Sequence, residues 1–234
     1  MINALHRSRM RPYLDATGNN EKRALALYQW HLELTSAVQS VLGVTEVVLR
    51  NAMDKELQSW NTKETGGRRS WLLEEPAAPL RSLSANKRKR ALEAATREAE
   101  RRNSNHRRYG ETVSHDDVLA QLMFGIWKDL LPNHQPGAGN STDNSNRARL
   151  WREALTYAFP NEEDPDGEIT FWRVARLHQL RNRVSHMEPL LNIDVQDEVK
   201  KAFQLVRSID TEVANWVTGG SKVSEVLNRR PSQR

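Results

Sequence analysis

In the stretch EKRALALYQWHLELTSAVQSVL the apolar residues Leu27, Trp30, Leu34, Ala37, Val38, Val41 and Leu42 recur at intervals of three and four. That period lays one apolar stripe along a helix, whereas a half-buried strand needs a period of two. The pattern resumes in VTEVVLRNAMDKELQSW through Val44, Val47, Val48, Ala52 and Leu57. Between them stands Gly43, and glycine in a helix interior costs about 1 kcal/mol relative to alanine. Two helices, or one long helix with a weak point at Gly43, satisfy the pattern equally.

The same spacing dominates elsewhere, and Gly (11) and Pro (9) are sparse among 234 residues, so the chain reads as an all-α helical bundle with long helices. A short helix is expected over Ser8–Ala16, then a break at TGNN whose Asn20 caps the long helix. Residues 61–80 carry Gly66-Gly67 and two prolines and read as a surface connection with one turn around Trp71. A basic helix is expected from Ser84 to about Asn103. Ser114 caps a single helix bearing Asp116 and Asp117 in its first turn and stopping before Pro132. PNHQPGAGNSTDNSN, residues 132–146, reads as a loop. Further helices are expected over Arg147–Ala158, Ile169–Met187 and Asp194–Val217, the second with Phe171, Val174, Leu177 and Leu180 or Val184 facing a core. The organisation is one helical domain over residues 1–218, with a basic helical segment at 81–108 and a basic tail at 219–234. The tryptophans fall mostly on apolar helix faces and read as core.

Composition removes several classes of function. Without cysteine there is no disulfide, thiolate metal site or cysteine nucleophile. The histidines at 6, 31, 106, 115, 134, 178 and 186 are dispersed and form no HExxH pair, and no GxxxxGK loop is present, so neither a metal nor a cofactor is expected. Apolar runs such as LAQLMFGIW fall short of the roughly 20 residues that span a bilayer, and the N-terminus lacks an apolar signal region. A soluble, cytoplasmic protein without a membrane partner is the expectation.

The formal charge of +5 favours polyanions. Its distribution is uneven: residues 81–108 hold ten Lys or Arg against three Glu, a local net of +7. Lys87, Arg88, Lys89, Arg90, Arg101 and Arg102 are candidate phosphate contacts, and with no interleaved aromatic residues the segment suits RNA backbone rather than bases. The alternative is a solvated helix laced with Glu93, Glu98 and Glu100.

LHQLRNRVSHMEP, residues 177–189, holds the densest chemistry. On a regular helix Asn182 and His186 stack at i and i+4, while Arg181 lies about 140° from His186 around the axis. The two converge on one atom if the last turn unwinds ahead of Pro189, or if two copies face each other across a dimer axis. Histidines titrate near pH 6.5, so His186 suits removal of a proton from a ribose 2′-hydroxyl, and Arg181 suits the charge growing on the attacked phosphate. A second His186 across the axis would protonate the leaving 5′-oxygen, leaving a 2′,3′-cyclic phosphate and a 5′-hydroxyl. The structural alternative places Arg181 on a carboxylate and His186 at a helix C-terminus, where a cation is favoured. A Ser185-His186 hydrolase is disfavoured because adjacent helical residues point apart.

LRNRVSHMEP resembles the signature of the bacterial Abi-like proteins of the HEPN superfamily, and other stretches agree with that family in order. ALALYQWHLELTSAVQSVLGVTEVVLRNAMDKEL looks like its long helix with Glu followed by Leu-Arg-Asn; FGIWKDLL and LWREALTYAFP look like its aromatic segments. The similarity covers roughly residues 10–218. It implies a metal-independent endoribonuclease, acting as a toxin or in abortive-infection phage defence, with Arg181 and His186 catalytic and Asn182 supporting. It further implies a homodimer, an antitoxin or defence partner protein, and a supporting polar patch of Glu46, Arg50 and Asn51. Where family members often carry two adjacent histidines this chain has His186-Met187, and Glu188 stands where some HEPN toxins carry a modifiable tyrosine. The second reading, from a different class, is a non-catalytic helical RNA-binding or regulatory module.

Overall fold

The computed structural model describes residues 2–139 and 141–231; Asn140 of the expected loop and residues 232–234 of the expected tail lie outside them. Among the described residues the fold is all helical, with no strand. In order the helices are α1 (Ile2–Leu5), α2 (Arg7–Ala16), α3 (Glu21–Thr65), α4 (Leu80–Glu100), α5 (His115–Ala120), α6 (Gly125–Leu130), α7 (Thr142–Glu153), α8 (Glu168–Ser185), α9 (Val195–Ile209), α10 (Thr211–Gly220) and α11 (Val223–Asn228). A 3-10 turn, Leu155–Ala158, follows α7.

The chain divides into two compact units, Met1–Glu46 with Arg176–Arg234, and Val47–Ala175. In the first, the stripe on α3 from Leu27 to Leu42 is buried as its period demands, apart from half-buried Ala37; its expected continuation is not, since Val44, Val48 and Ala52 are half-buried and Val47 is exposed while Leu49 and Met53 are buried. Two polar residues on that face, His31 and Thr35, are buried with it. Trp30 donates its indole N–H to the Val226 carbonyl at 2.7 Å, and Arg230 lies 5.1 Å over its ring. The expected helix over Asp194–Val217 is instead two, α9 and α10. Asp210 divides them because its own N–H closes α9 on the Val206 carbonyl while its carboxylate caps α10 at the Val213 N–H.

In the second unit Trp71, Trp127, Trp151 and Phe159 fill the core, with Trp71 edge-on to Trp127 and Trp151 stacked on Phe159. Trp172 and Trp216 are exposed, against the core reading of the tryptophans. Residues 61–80 are more than a surface connection. α3 continues to Thr65, buried Asn61 ties the Arg68 carbonyl to the Ala77 N–H, and Trp71 and Leu72 enter the core. The helix expected after Ser114 is broken at residues 121–124. On one continuous helix Phe124 would lie about 200° from Leu122; the break lets both be buried. Ser114 does form a reciprocal capping box with Asp117. Gly167, at φ +79°, is required twice over, since a Cβ there would sit 2.9 Å from the Trp151 ring.

α3 runs through Gly43 without interruption. It also corrects the expectation that no segment is long and apolar enough to cross a membrane. An 18-residue window within it reaches a mean hydropathy of 1.3, and 44% of that window is buried inside the fold.

Candidate functional site

The motif closes α8. Its apolar face, Leu177, Leu180 and Val184, is buried, which turns Arg181 and Asn182 half outward and leaves Arg183, Ser185 and His186 exposed. The last turn does not unwind to bring Arg181 and His186 together. His186 keeps its helical bond to the Asn182 carbonyl at 3.0 Å, and the chain reverses only at Met187, in the left-handed region at φ 54°. The Met187 N–H bonds the Val184 carbonyl and the Glu188 N–H the Arg183 carbonyl, a Schellman turn that satisfies the helix end. An Arg183–Glu188 ion pair at 3.5 Å spans the positions that more often make an apolar contact in this turn. Within one chain, then, the two side chains diverge as a regular helix requires.

Arg181 Nε lies 4.0 Å from Glu46 Oε2, too far for a hydrogen bond but close enough to orient the guanidinium. Glu46 therefore faces the motif helix. The Asn182 amide and the His186 ring have no hydrogen bond to any other described side chain or backbone group. Beneath the turn lie residues that sequence reasoning missed. Arg9 of α2 donates to the Met187 carbonyl at 2.6 Å, and fully buried His31 bonds the Glu188 carbonyl through Nε2 at 3.2 Å. A carbonyl only accepts, so Nε2 carries the proton and Nδ1 accepts the Tyr13 hydroxyl, 2.9 Å away. Burial holds the His31 pKa below its ordinary value; the Glu188 carbonyl opposes that shift, and the charge of Arg9 adds to it. Burial likewise pushes the Tyr13 phenol up. The only sequence signal for this layer is a histidine at a stripe position of α3.

No family model, no curated protein and no solved structure matches the chain.

The other expected residues lie in the second unit. Arg50 donates to the neighbouring Asn51 Oδ1 at 3.3 Å, on the exposed face of α3. Of the six basic candidates, three are structural. Lys87 pairs with Asp129, Arg88 donates to the Glu74 carbonyl at 2.6 Å, and nearly buried Arg102 donates to Asp117 at 2.8 Å. Burial would raise the Asp117 pKa, but hydrogen bonds from Ser114 and Arg108 and the charge of Arg102 hold it well below the usual carboxylate range. Lys89, Arg90 and Arg101 are exposed and have no ion-pair partner among the described residues. They share the outer face of α4 with exposed Glu93, Glu98 and Glu100, so that face is mixed in sign.

Two further clusters emerge in the second unit. Ser70 Oγ meets His115 Nδ1 at 2.7 Å, and His115 Nε2 meets the Asp54 carboxylate at 3.0 and 3.1 Å. Nucleophile, base and orienting carboxylate thus stand in line, as acyl transfer requires. The array is nevertheless closed. Asp54 also accepts from Trp71 and Gln58, Ser70 Oγ accepts the Leu73 N–H at 3.0 Å, and Ser70 is only 8% exposed. It locks the start of α5 to α3. His134, far in sequence from Asp166 and Glu168, joins them so that one ligand-type atom of each lies within 4.8 Å of the others. Exposed acidic groups commonly adopt such an arrangement without an ion.

Proposed function

We propose that the protein is a metal-independent endoribonuclease whose site is built from Arg181, Asn182 and His186. The carrying observation is that the side chains of Asn182 and His186, near Arg181 at a capped helix end, have no hydrogen-bond partner among the described residues. The His115 ring and the Asp117 carboxylate, by contrast, are fully engaged by their neighbours. A side chain with open donors and acceptors at a helix C-terminus is available to substrate. The resemblance to the Abi-like HEPN proteins supports the same three residues.

In this reading His186 takes the proton of a ribose 2′-hydroxyl as O2′ attacks the adjacent phosphorus. The P–O5′ bond breaks, and the leaving oxygen takes a proton from the His186 of a second copy. Arg181, oriented by Glu46, holds the non-bridging oxygens with its planar donors. A regular helix keeps Arg181 and His186 about 140° apart, so a composite site in a two-fold dimer is the form that unites them. The exposed Lys89, Arg90 and Arg101 supply phosphate contacts of low sequence preference. Growth arrest or phage defence, with an antitoxin or defence partner, is the setting that the resemblance suggests.

The deciding experiment incubates wild type and His186→Ala with total RNA in EDTA and maps the new ends. Cleavage by wild type alone, leaving 2′,3′-cyclic phosphates, is the expected outcome. Equal cleavage by both, or a requirement for added metal, overturns the mechanism. RNA binding with steep salt dependence and no cleavage supports instead a non-catalytic RNA-binding module. Sedimentation tests the dimer: a monomer that cleaves rejects the composite site and spares the activity.

A further inference from the structure

We infer that His31, backed by Tyr13 and assisted by Arg9, is the positioning residue for His186. This rests on the ribonuclease reading and names the device that aims its base. The two carbonyls that follow His186 are each held by a side chain from far along the chain. Arg9 takes the Met187 carbonyl at 2.6 Å and His31 takes the Glu188 carbonyl at 3.2 Å. Just before them Met187 adopts φ 54°, a left-handed conformation that is strained for a residue with a Cβ. Such a turn persists where its surroundings over-determine it. Here the His31 side of that over-determination is polar and buried. His31 is fully buried with both ring nitrogens engaged, Thr35 Oγ1 lies 3.3 Å from Nε2, and Tyr13, also fully buried, packs edge-on against Tyr28.

His186 itself has no side-chain partner, so its placement depends on the backbone on either side. On one side that is the last turn of α8. On the other it is the Met187–Glu188 reversal, and His31 and Arg9 are what hold the carbonyls of that reversal. Releasing them lets the C-terminus fray through Met187 and moves the imidazole by ångströms. A misplacement of about 1 Å at a reacting group costs on the order of a hundredfold in rate.

The test compares His31→Leu, which removes the donor, with His31→Gln, whose side-chain nitrogen reaches the Nε2 position. Arg9→Ala and Tyr13→Phe complete the set. For His31→Leu the expected result is a kcat lower by about 10- to 100-fold with KM unchanged, faster amide exchange at Met187 and Glu188, and shifted His186 ring resonances. His31→Gln should recover most of kcat and of the protection. Exposed Arg9→Ala should give the same pattern at smaller size, and it carries the test if His31→Leu does not fold. Wild-type kcat and wild-type exchange in both His31→Leu and Arg9→Ala overturn the assignment. If wild type cleaves no RNA, the ribonuclease reading fails by itself. The positioning role is then judged by exchange and by the His186 resonances, and their constancy in the variants overturns it.

Discussion

His115 and His186 are both solvent-reachable histidines at helix ends, yet their surroundings are opposite. His115 opens α5 with one nitrogen on Ser70 and the other on Asp54. His186 closes α8 with neither nitrogen bonded to a described residue. The difference teaches how to tell a structural histidine from a candidate for chemistry. Hydrogen-bond capacity spent inside the fold fixes geometry, and capacity left open at a held backbone is free for a ligand. By pattern alone the Ser70–His115–Asp54 array looks more like a reaction centre than the motif does. Saturation and burial reverse that ranking.

The sharpest way to break the comparison is to delete each histidine. His186→Ala should lose about 100- to 10,000-fold in RNA cleavage while changing stability by no more than about 0.5 kcal/mol in urea unfolding. Loss of stability without loss of cleavage would invert the roles. Asp54→Ala should do the reverse. It strips His115, Trp71 and Gln58 of a common acceptor, and truncating a buried, hydrogen-bonded charge costs about 3–5 kcal/mol. Cleavage by the fraction that remains folded should persist.

A third prediction uses pH. Burial lowers the His31 pKa in the folded chain, whereas in the unfolded chain it titrates near 6.5. As pH falls through about 6.5 the unfolded chain takes up a proton that the folded one refuses, so stability is full above that pH and declines below it. Urea unfolding at pH 7.5 and 5.5 should show the decline in wild type and a smaller one in His31→Gln; equal slopes would remove His31 from the account.

The smallest expected effects separate the basic residues. Lys89→Ala with Arg90→Ala should weaken RNA binding and reduce the salt slope by about 1–2 without moving Tm. Arg102→Ala should lower Tm by several degrees, since it removes a nearly buried partner of Asp117. If the first pair moves only Tm, α4 is scaffold throughout.

The helices were legible where their causes are local. The α3 stripe, Asn20 before α3, the Ser114 cap and the stop before Pro132 all rest on interactions within a turn or two. The breaks at residues 121–124 and at Asp210 were not legible, because each depends on which side the core lies. Phe124 is turned inward by burial, and DTE within an apolar-periodic run reads as helix until Asp210 is seen to cap. Of the residues proposed for the site, Arg181, Asn182 and His186 stood out from the sequence, and the orientation of Glu46 towards Arg181 followed in space. Half of the basic cluster changed meaning once Asp129, Glu74 and Asp117 came against it.

By itself, then, the sequence determined an all-helical chain and the local caps that begin its helices, because helical period and caps act over at most about four positions. Only the tertiary structure decided which polar groups are spent. The bonds that decide it join residues 45, 61 and 157 positions apart, in Ser70–His115, Asp54–His115 and His31–Glu188. No local periodicity specifies such pairings; packing of distant segments does.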